Sequence, residues 1–190
     1  MSKIILITGA STGLGAETAR LLAFQNEIIF HYYSSQKEAE KVAADVETKG
    51  GKSFLVQADL SHMKLSSLFI PWLKKGNNPC IINISSIAIR HGAPGATIYG
   101  ACKGAIDSFT RGLAHELAPT IRVNAVSPGV IDTPFHKKVS TPEKMKSFKE
   151  STPLKQIGEA IHIAKTIEFL INNDFITGET IDVNGGLFMR

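Results

Sequence analysis

Residues 3–15 read Lys3-Ile4-Ile5-Leu6-Ile7-Thr8-Gly9-Ala10-Ser11-Thr12-Gly13-Leu14-Gly15, and their order decides the fold. The unbroken apolar run predicts a strand buried on both faces, because a half-exposed strand alternates apolar with polar residues. Glycines at 9, 13 and 15 then turn the chain into a helix expected from about Gly13 to Phe24. A turn without bulky side chains lets an anion, a pyrophosphate above all, approach backbone N–H groups at the positive end of that helix. Gly9, Ser11, Thr12, Gly13, Leu14 and Gly15 would form this cradle. Three glycines at such spacing occur by chance in about one protein in ten, so the strand before them and the helix after them carry much of the argument. The same letters, Gly9-Ala10-Ser11-Thr12-Gly13, fit the G-x-S-x-G turn that exposes a hydrolase nucleophile. Ser11 would then attack, with Asp132 or Asp174 and His136 or His162 completing a triad, but no local context singles those partners out.

Outward from this turn, short apolar runs alternate with longer amphipathic stretches. EIIFHY (27–32) comes next as a strand, then a helix over Gln36 to Thr48, then the strand SFLVQA (53–58). A weaker helix signal near Met63 to Lys75 leads to the fully apolar strand CIINIS (80–85) and a long helix from about Tyr99 to Leu117. IRVNAVSPG (121–129) reads as a strand broken by Pro128 and Gly129. A Lys/Glu-rich lid over 134–156, a helix from Glu159 to Ile171 and the strand ETIDV (179–183) complete the chain. Strands without alternation, separated by helices, predict one α/β domain over 1–190: a doubly wound, parallel, Rossmann-like sheet covered on both faces.

With 43% hydrophobic and 20% charged residues among 190, disorder and fibrous structure are excluded. No apolar stretch approaches the roughly 18 residues that cross a bilayer, and no signal pattern precedes the first strand, so a cytoplasmic protein without membrane partners is expected. The net charge of +4 is spread thinly except over Lys137 to Lys149, where no aromatic residues alternate with the bases, and nucleic acid is not an expected partner. Two cysteines, Cys80 and Cys102, make no disulfide framework, and six dispersed histidines show no ligand spacing, so no metal is expected.

Tyr99-Gly100-Ala101-Cys102-Lys103 sets a phenol and an ammonium four residues apart, hence on one helical face. A phenol of pKa near 10 is a poor acid–base catalyst at neutral pH, but a cation at ~4 Å and effective dielectric ~20 contributes about 4 kcal/mol, roughly three pKa units. With three tyrosines in the chain, such a pair arises about one time in four by chance, so it needs company. Ser86 supplies it, at the end of the apolar strand in Asn83-Ile84-Ser85-Ser86. Ligands of open α/β sheets bind beyond the carboxyl ends of the strands, which brings the glycine turn, Ser86 and Ser127-Pro128-Gly129 to one rim.

Through TGASTGLG (8–15), INISS (82–86), YGACK (99–103), NAVSPGVIDTP (124–134) and FITGETIDVNGG (175–186), in that order, the chain resembles the short-chain dehydrogenase/reductase family over nearly its whole length. The resemblance implies hydride transfer between a nicotinamide dinucleotide and an alcohol or carbonyl carbon. It gives Tyr99 the role of proton donor or acceptor, Lys103 that of tuning Tyr99 and holding the ribose, and Ser86 that of binding the carbonyl oxygen. Asp59 and the adjoining Leu60 correspond to the adenine contact, and Pro128, Gly129, Ile131 and Thr133 to the turn that seats the nicotinamide amide. Family members that use NAD carry an acid after the second strand, where this chain reads His31-Tyr32-Tyr33-Ser34-Ser35. A 2′-phosphate is not repelled there and would meet Ser34, Ser35 or Lys37, with Tyr32 a further cofactor-binding residue, although Thr12 stands where NADP enzymes often have a base. NADP(H) is therefore the favoured cofactor and NAD(H) the alternative.

KGGKSFLVQADL (49–60) and the tail resemble 3-oxoacyl-[acyl-carrier-protein] reductases and glucose dehydrogenases, which implies a small or acyl-linked carbonyl substrate and a homo-oligomer, tetramer or dimer. His115 stands where those reductases often have Arg toward the acidic carrier; Lys137, Lys138, Lys144, Lys146 and Lys149 offer charge in its place, but a solvated lid is the favoured reading of them. Family members are about sixty residues longer, with most of the difference between Asp59 and Ser86, where a crossover unit of ~30 residues has no room. An Asn-Asn-Ala-Gly segment and a proton-relay asparagine go with it. Leu65–Phe69 resembles the family stretch just after that asparagine, but Met63 and Lys64 precede it here. Either the CIINIS strand moves beside KIILI to fill the empty slot, or the sequence lacks residues its parent carries. A catalytically impaired dinucleotide-binding or interaction module is the alternative function.

Overall fold

The computed structural model describes residues 2–59 and 70–189. Leu60 and most of the helix expected over 63–75 lie outside the described residues, as do Met63, Lys64 and Leu65–Phe69; residues 70–73 are helical. In chain order the elements are β1 (Ile4–Ile7), α1 (Gly13–Leu21), β2 (Glu27–Tyr32), α2 (Gln36–Thr48), β3 (Lys52–Gln57), β4 (Cys80–Ile84), α3 (Ala88–His91), α4 (Thr97–Leu117), β5 (Arg122–Pro128), β6 (Ile131–Asp132), α5 (Pro134–Val139), α6 (Pro142–Ser151), β7 (Gly158–Glu159), α7 (Ala160–Asn172) and β8 (Thr180–Val183). The expected winding is present, and every ladder among the described residues is parallel.

Local chemistry explains the element ends. Pro142 opens α6 because its missing N–H is an orphan there in any case, and the Thr141 hydroxyl accepts the Lys144 N–H at 3.2 Å. α7 begins on a capping box in which the Glu159 N–H donates to His162 Nδ1 at 2.9 Å. Pro128 does not break its strand: it is the last residue of β5, paired with Val183, and its carbonyl accepts the Ile87 N–H at 2.9 Å. The Lys/Glu-rich segment 134–156 contains two helices, α5 and α6.

The strands form two three-stranded sheets, β1-β2-β3 and β4-β5-β8, with β6 and β7 as a separate pair. Ile28, Phe30 and Val126 pack one face against Ala16, Ala19 and Leu22 of α1, Val42, Ala43 and Val46 of α2, and Ile163, Ile167 and Leu170 of α7, in one cluster that spans both sheets. The opposite face is packed chiefly at Val123 of β5, beneath Leu113 and Ala114 of α4.

One of two alternatives is excluded here, and one expectation is corrected. CIINIS does not move beside KIILI: β4 pairs with β5, and β1 pairs with β2, and no ladder joins β1 to β4 among the described residues. Nor is the sheet covered on both faces throughout, since Ile4 is 72% exposed, Phe54 50% and Val56 45%. The reason is topological. The two right-handed crossovers through α1 and α2 put both helices on one face, and α4 lies over the other sheet.

Candidate active site

Two structures meet at the carboxyl rim. The first is the glycine turn. Gly9 has φ +64°, a left-handed conformation that suits a residue without Cβ, and a Cβ at Gly15 would lie 2.5 Å from the Gly9 carbonyl oxygen. The close approach of turn and helix thus demands glycine at 15. α1 starts at Thr12 with no side-chain cap and no acid in its first turn, so its leading N–H groups face the turn without a competing carboxylate. These features fit a pyrophosphate. Ser11 and Leu14 are half-buried, Thr12 is exposed, and Asp59 is exposed just beyond β3.

His31, the first residue of the stretch 31–35 where no carboxylate stands, is buried and turned inward. Its Nδ1 accepts the Gly9 N–H at 3.3 Å and its Nε2 lies 3.0 Å from the Ala58 carbonyl. Tyr32 is buried as well at 7% exposure, while Ser34 and Lys37 are exposed and border a shallow recess with Gln36, Glu38 and Glu40. Ser35 stands at the N-cap of α2 beside it.

The second structure is the tyrosine–lysine flank of α4. Lys103 Nζ lies 5.8 Å from the centre of the Tyr99 ring and donates to the Ile84 carbonyl at 2.9 Å, which anchors the ammonium to the end of β4 two residues before Ser86. Burial lowers the Lys103 pKa below its usual value, opposed in part by Cys102. Ser85 Oγ donates to the Lys103 carbonyl at 3.1 Å, so both Ser85 and Ile84 tie strand end to helix. Ser86 is buried and its Oγ accepts the Ala88 N–H at 3.2 Å. Tyr99, 39% exposed, meets α5: the Phe135 ring stacks on it with centroids 6.4 Å apart and planes 22° apart.

The turn after β5 joins the two. The Gly129 N–H donates to the Val183 carbonyl at 2.9 Å, and a Cβ on Gly129 would lie 2.7 Å from Asn184 Cα, so the chain passes β8 too closely for any side chain. Ile131 is fixed by the β6–β7 pair through Gly158. Thr133 is buried, and its Cβ is 3.7 Å from where a Gly13 Cβ would stand, which presses this turn against the glycine turn. Phe135 and the His31 ring were missed in the sequence. Phe135 carries no motif, and His31 shows its role only once its neighbours are placed. The hydrolase triad is overturned: His136 Nδ1 lies 3.1 Å from Ser140 Oγ and His162 caps α7, so neither serves Ser11.

A parallel sheet with a glycine turn at its rim and a helix N-terminus behind it defines a dinucleotide-binding α/β protein. The short chain dehydrogenase family model matches residues 3–67, and the Enoyl-(Acyl carrier protein) reductase model matches residues 60–188. The 3-oxoacyl-[acyl-carrier-protein] reductase FabG of Staphylococcus epidermidis (strain RP62A) is 31% identical over 245 aligned positions, covering 100% of this chain and 100% of that protein. The uncharacterized oxidoreductase YgfF of Escherichia coli (strain K12) is 29% identical, covering 96% of this chain and 99% of that one. The structure of the promiscuous reductase LugOII, which catalyses keto-reduction at C1 during lugdunomycin biosynthesis, superposes with TM-score 0.84 at 26% identity over 98% of each chain. The chain belongs to the short-chain dehydrogenase/reductase family: it is an oxidoreductase that moves a hydride between a nicotinamide dinucleotide, NAD(P)(H), and a ketone or secondary alcohol. The FabG alignment spans 245 positions against 190 residues here, and the two family matches meet at 60–67, where the sequence shows its shortening.

Proposed function

We propose that the chain reduces a ketone with Tyr99 as the proton donor, Lys103 as the cation that sustains it, and Ser86 as the hydrogen-bond donor to the carbonyl oxygen. The observation that carries this reading is the placement of the Lys103 ammonium on the Tyr99 flank while it is anchored to the carbonyl of Ile84. When bound, the nicotinamide supplies the hydride. The chain's own residues do the rest: the first turn of α1 faces the diphosphate, the Pro128–Gly129 turn lies beside Ser86, and Phe135 covers one face of the phenol. Ser86 Oγ accepts the Ala88 N–H, which leaves its own hydroxyl proton to donate to the substrate oxygen.

NADP(H) is the proposed preference. No carboxylate stands at 31–35, and Ser34 and Lys37 border the recess at the start of α2, where the helix N-terminus favours a phosphate; Glu38 and Glu40 oppose it from the same recess. Lys37→Ala is expected to raise the NADPH dissociation constant about fivefold, the size of one exposed phosphate contact, and to leave NADH unchanged. Fluorescence titration of both nucleotides measures it; equal weakening of the two would remove Lys37 from the phosphate.

The substrate is a small or acyl-linked ketone, with a 3-oxoacyl thioester among the candidates through the likeness to FabG, and the assembly is a homo-oligomer, a dimer or tetramer, in the cytoplasm. The second reading, a dinucleotide-binding module without turnover, is favoured by the absence of a ladder between β1 and β4 among the described residues. One titration separates them. Protein mixed with NADPH or NADH is followed by fluorescence, then by loss of 340 nm absorbance with a panel of ketones. Binding with turnover supports the reductase, binding alone supports the module, and the absence of both contradicts the two together.

A further inference from the structure

We infer that His31 is a positioning residue of the dinucleotide turn, its ring holding the Gly9 N–H through Nδ1. The inference rests on the reading of that turn as the cofactor site. A backbone N–H only donates, so Nδ1 accepts, and the ring proton of the neutral imidazole sits on Nε2, where it donates to the Ala58 carbonyl. The His31 carbonyl accepts the next N–H of the turn, that of Ala10, at 3.0 Å. One residue therefore fixes two successive peptide groups of the turn and reaches the end of β3, next to Asp59.

Gly9 has φ +64°, and glycine has the most conformational freedom to lose. Its carbonyl side is held by the close approach of Gly15, while open space lies where its own Cβ would stand. Its N–H side is held by the His31 ring, only 7% exposed as a residue. With the Gly9 and Ala10 N–H groups satisfied by His31, the donors that face an incoming diphosphate are those of the rest of the turn and of the first turn of α1, whose position depends on the residues His31 holds. The sequence alone gives His31 no role of its own; the structure assigns it one under the turn rather than against the ligand.

Two carboxamides separate the ring's contacts. In His31→Asn the amide oxygen stands near the Nδ1 position and keeps an acceptor for Gly9, whereas in His31→Gln the amide nitrogen stands near Nε2 and keeps only the donor to Ala58; His31→Phe keeps neither. NADPH titration of the full chain should give His31→Asn a dissociation constant within about twofold of the parent, and His31→Gln and His31→Phe constants about tenfold weaker. Amide hydrogen exchange read by NMR should show Gly9 protected in the parent and His31→Asn and faster in the other two, with thermal melting run on each variant to confirm folding. The inference is overturned if His31→Gln binds like the parent while His31→Asn does not, or if all three bind alike. Should the parent bind neither NADPH nor NADH, the cofactor reading fails, and the cofactor-positioning role fails with it; Gly9 protection in the same samples then shows whether His31 holds the turn at all.

Discussion

At the scale of single residues, the pair four apart on α4 was legible because helical geometry leaves it no other arrangement. The surroundings of Lys103 were not: the carbonyl that holds its ammonium comes from a strand nineteen residues earlier. The same holds for Asp107, which nothing in the sequence marks. Burial alone would raise its pKa, but hydrogen bonds from Thr180 and Arg111 and the charges of Arg111 and Arg90 outweigh this and hold it below the ordinary carboxylate value. A carboxyl whose folded pKa is depressed stabilises the fold above its unfolded pKa, about 3.9, and loses that contribution as pH falls through the lower folded value. Asp107→Asn should therefore melt a few degrees below the parent at pH 7, with the gap closing as pH falls below the ordinary carboxylate value and through the lower folded one. Melting curves from pH 2 to 7 decide it; a gap independent of pH would show that packing, not charge, is what Asp107 supplies.

At the scale of elements, the long apolar and amphipathic runs were readable, and EIIFHY and Gln36–Thr48 coincide with β2 and α2. The four-residue α3 and the two-residue β6 and β7 were not, because so few residues carry no period. Yet α3 matters, for it comes directly after Ser86 and is clamped to β8: Arg90 Nε donates to both Asp182 carboxylate oxygens at 3.1 and 3.2 Å, with the Arg90 guanidinium 5.8 Å from the Phe188 ring centre. Both side chains are largely buried, at 16% and 15% exposure. Removing one partner of such a pair strands the other charge, so Arg90→Leu should lower stability by about 3 kcal/mol, and adding Asp182→Leu should restore most of it. Urea denaturation of the two single variants and the double measures the coupling. Additive losses would mean that the pair does not act as a unit.

At the scale of the whole molecule, the succession of strands and helices along the chain was readable from the sequence and the continuity of the sheet was not. The motifs of both halves are intact, so each half folds to its own parallel ladder, and the short interval between Gln57 and Cys80 decides what lies between them. Residue patterns announce a strand that is present; they do not say whether its neighbour moves to replace one that is missing. The core cluster shared by α1, α2 and α7 shows how the halves stay together despite the separate ladders. The site depends on that cohesion, because the glycine turn belongs to one half and Tyr99, Lys103 and Ser86 to the other. The most direct test compares the parent with Tyr99→Phe, measuring NADPH affinity and the rate of ketone-dependent NADPH oxidation on the same samples. The account predicts affinity unchanged within about twofold and a rate lowered by at least about a hundredfold, the contribution of a general acid; a phenylalanine variant that turns over as fast as the parent would contradict it.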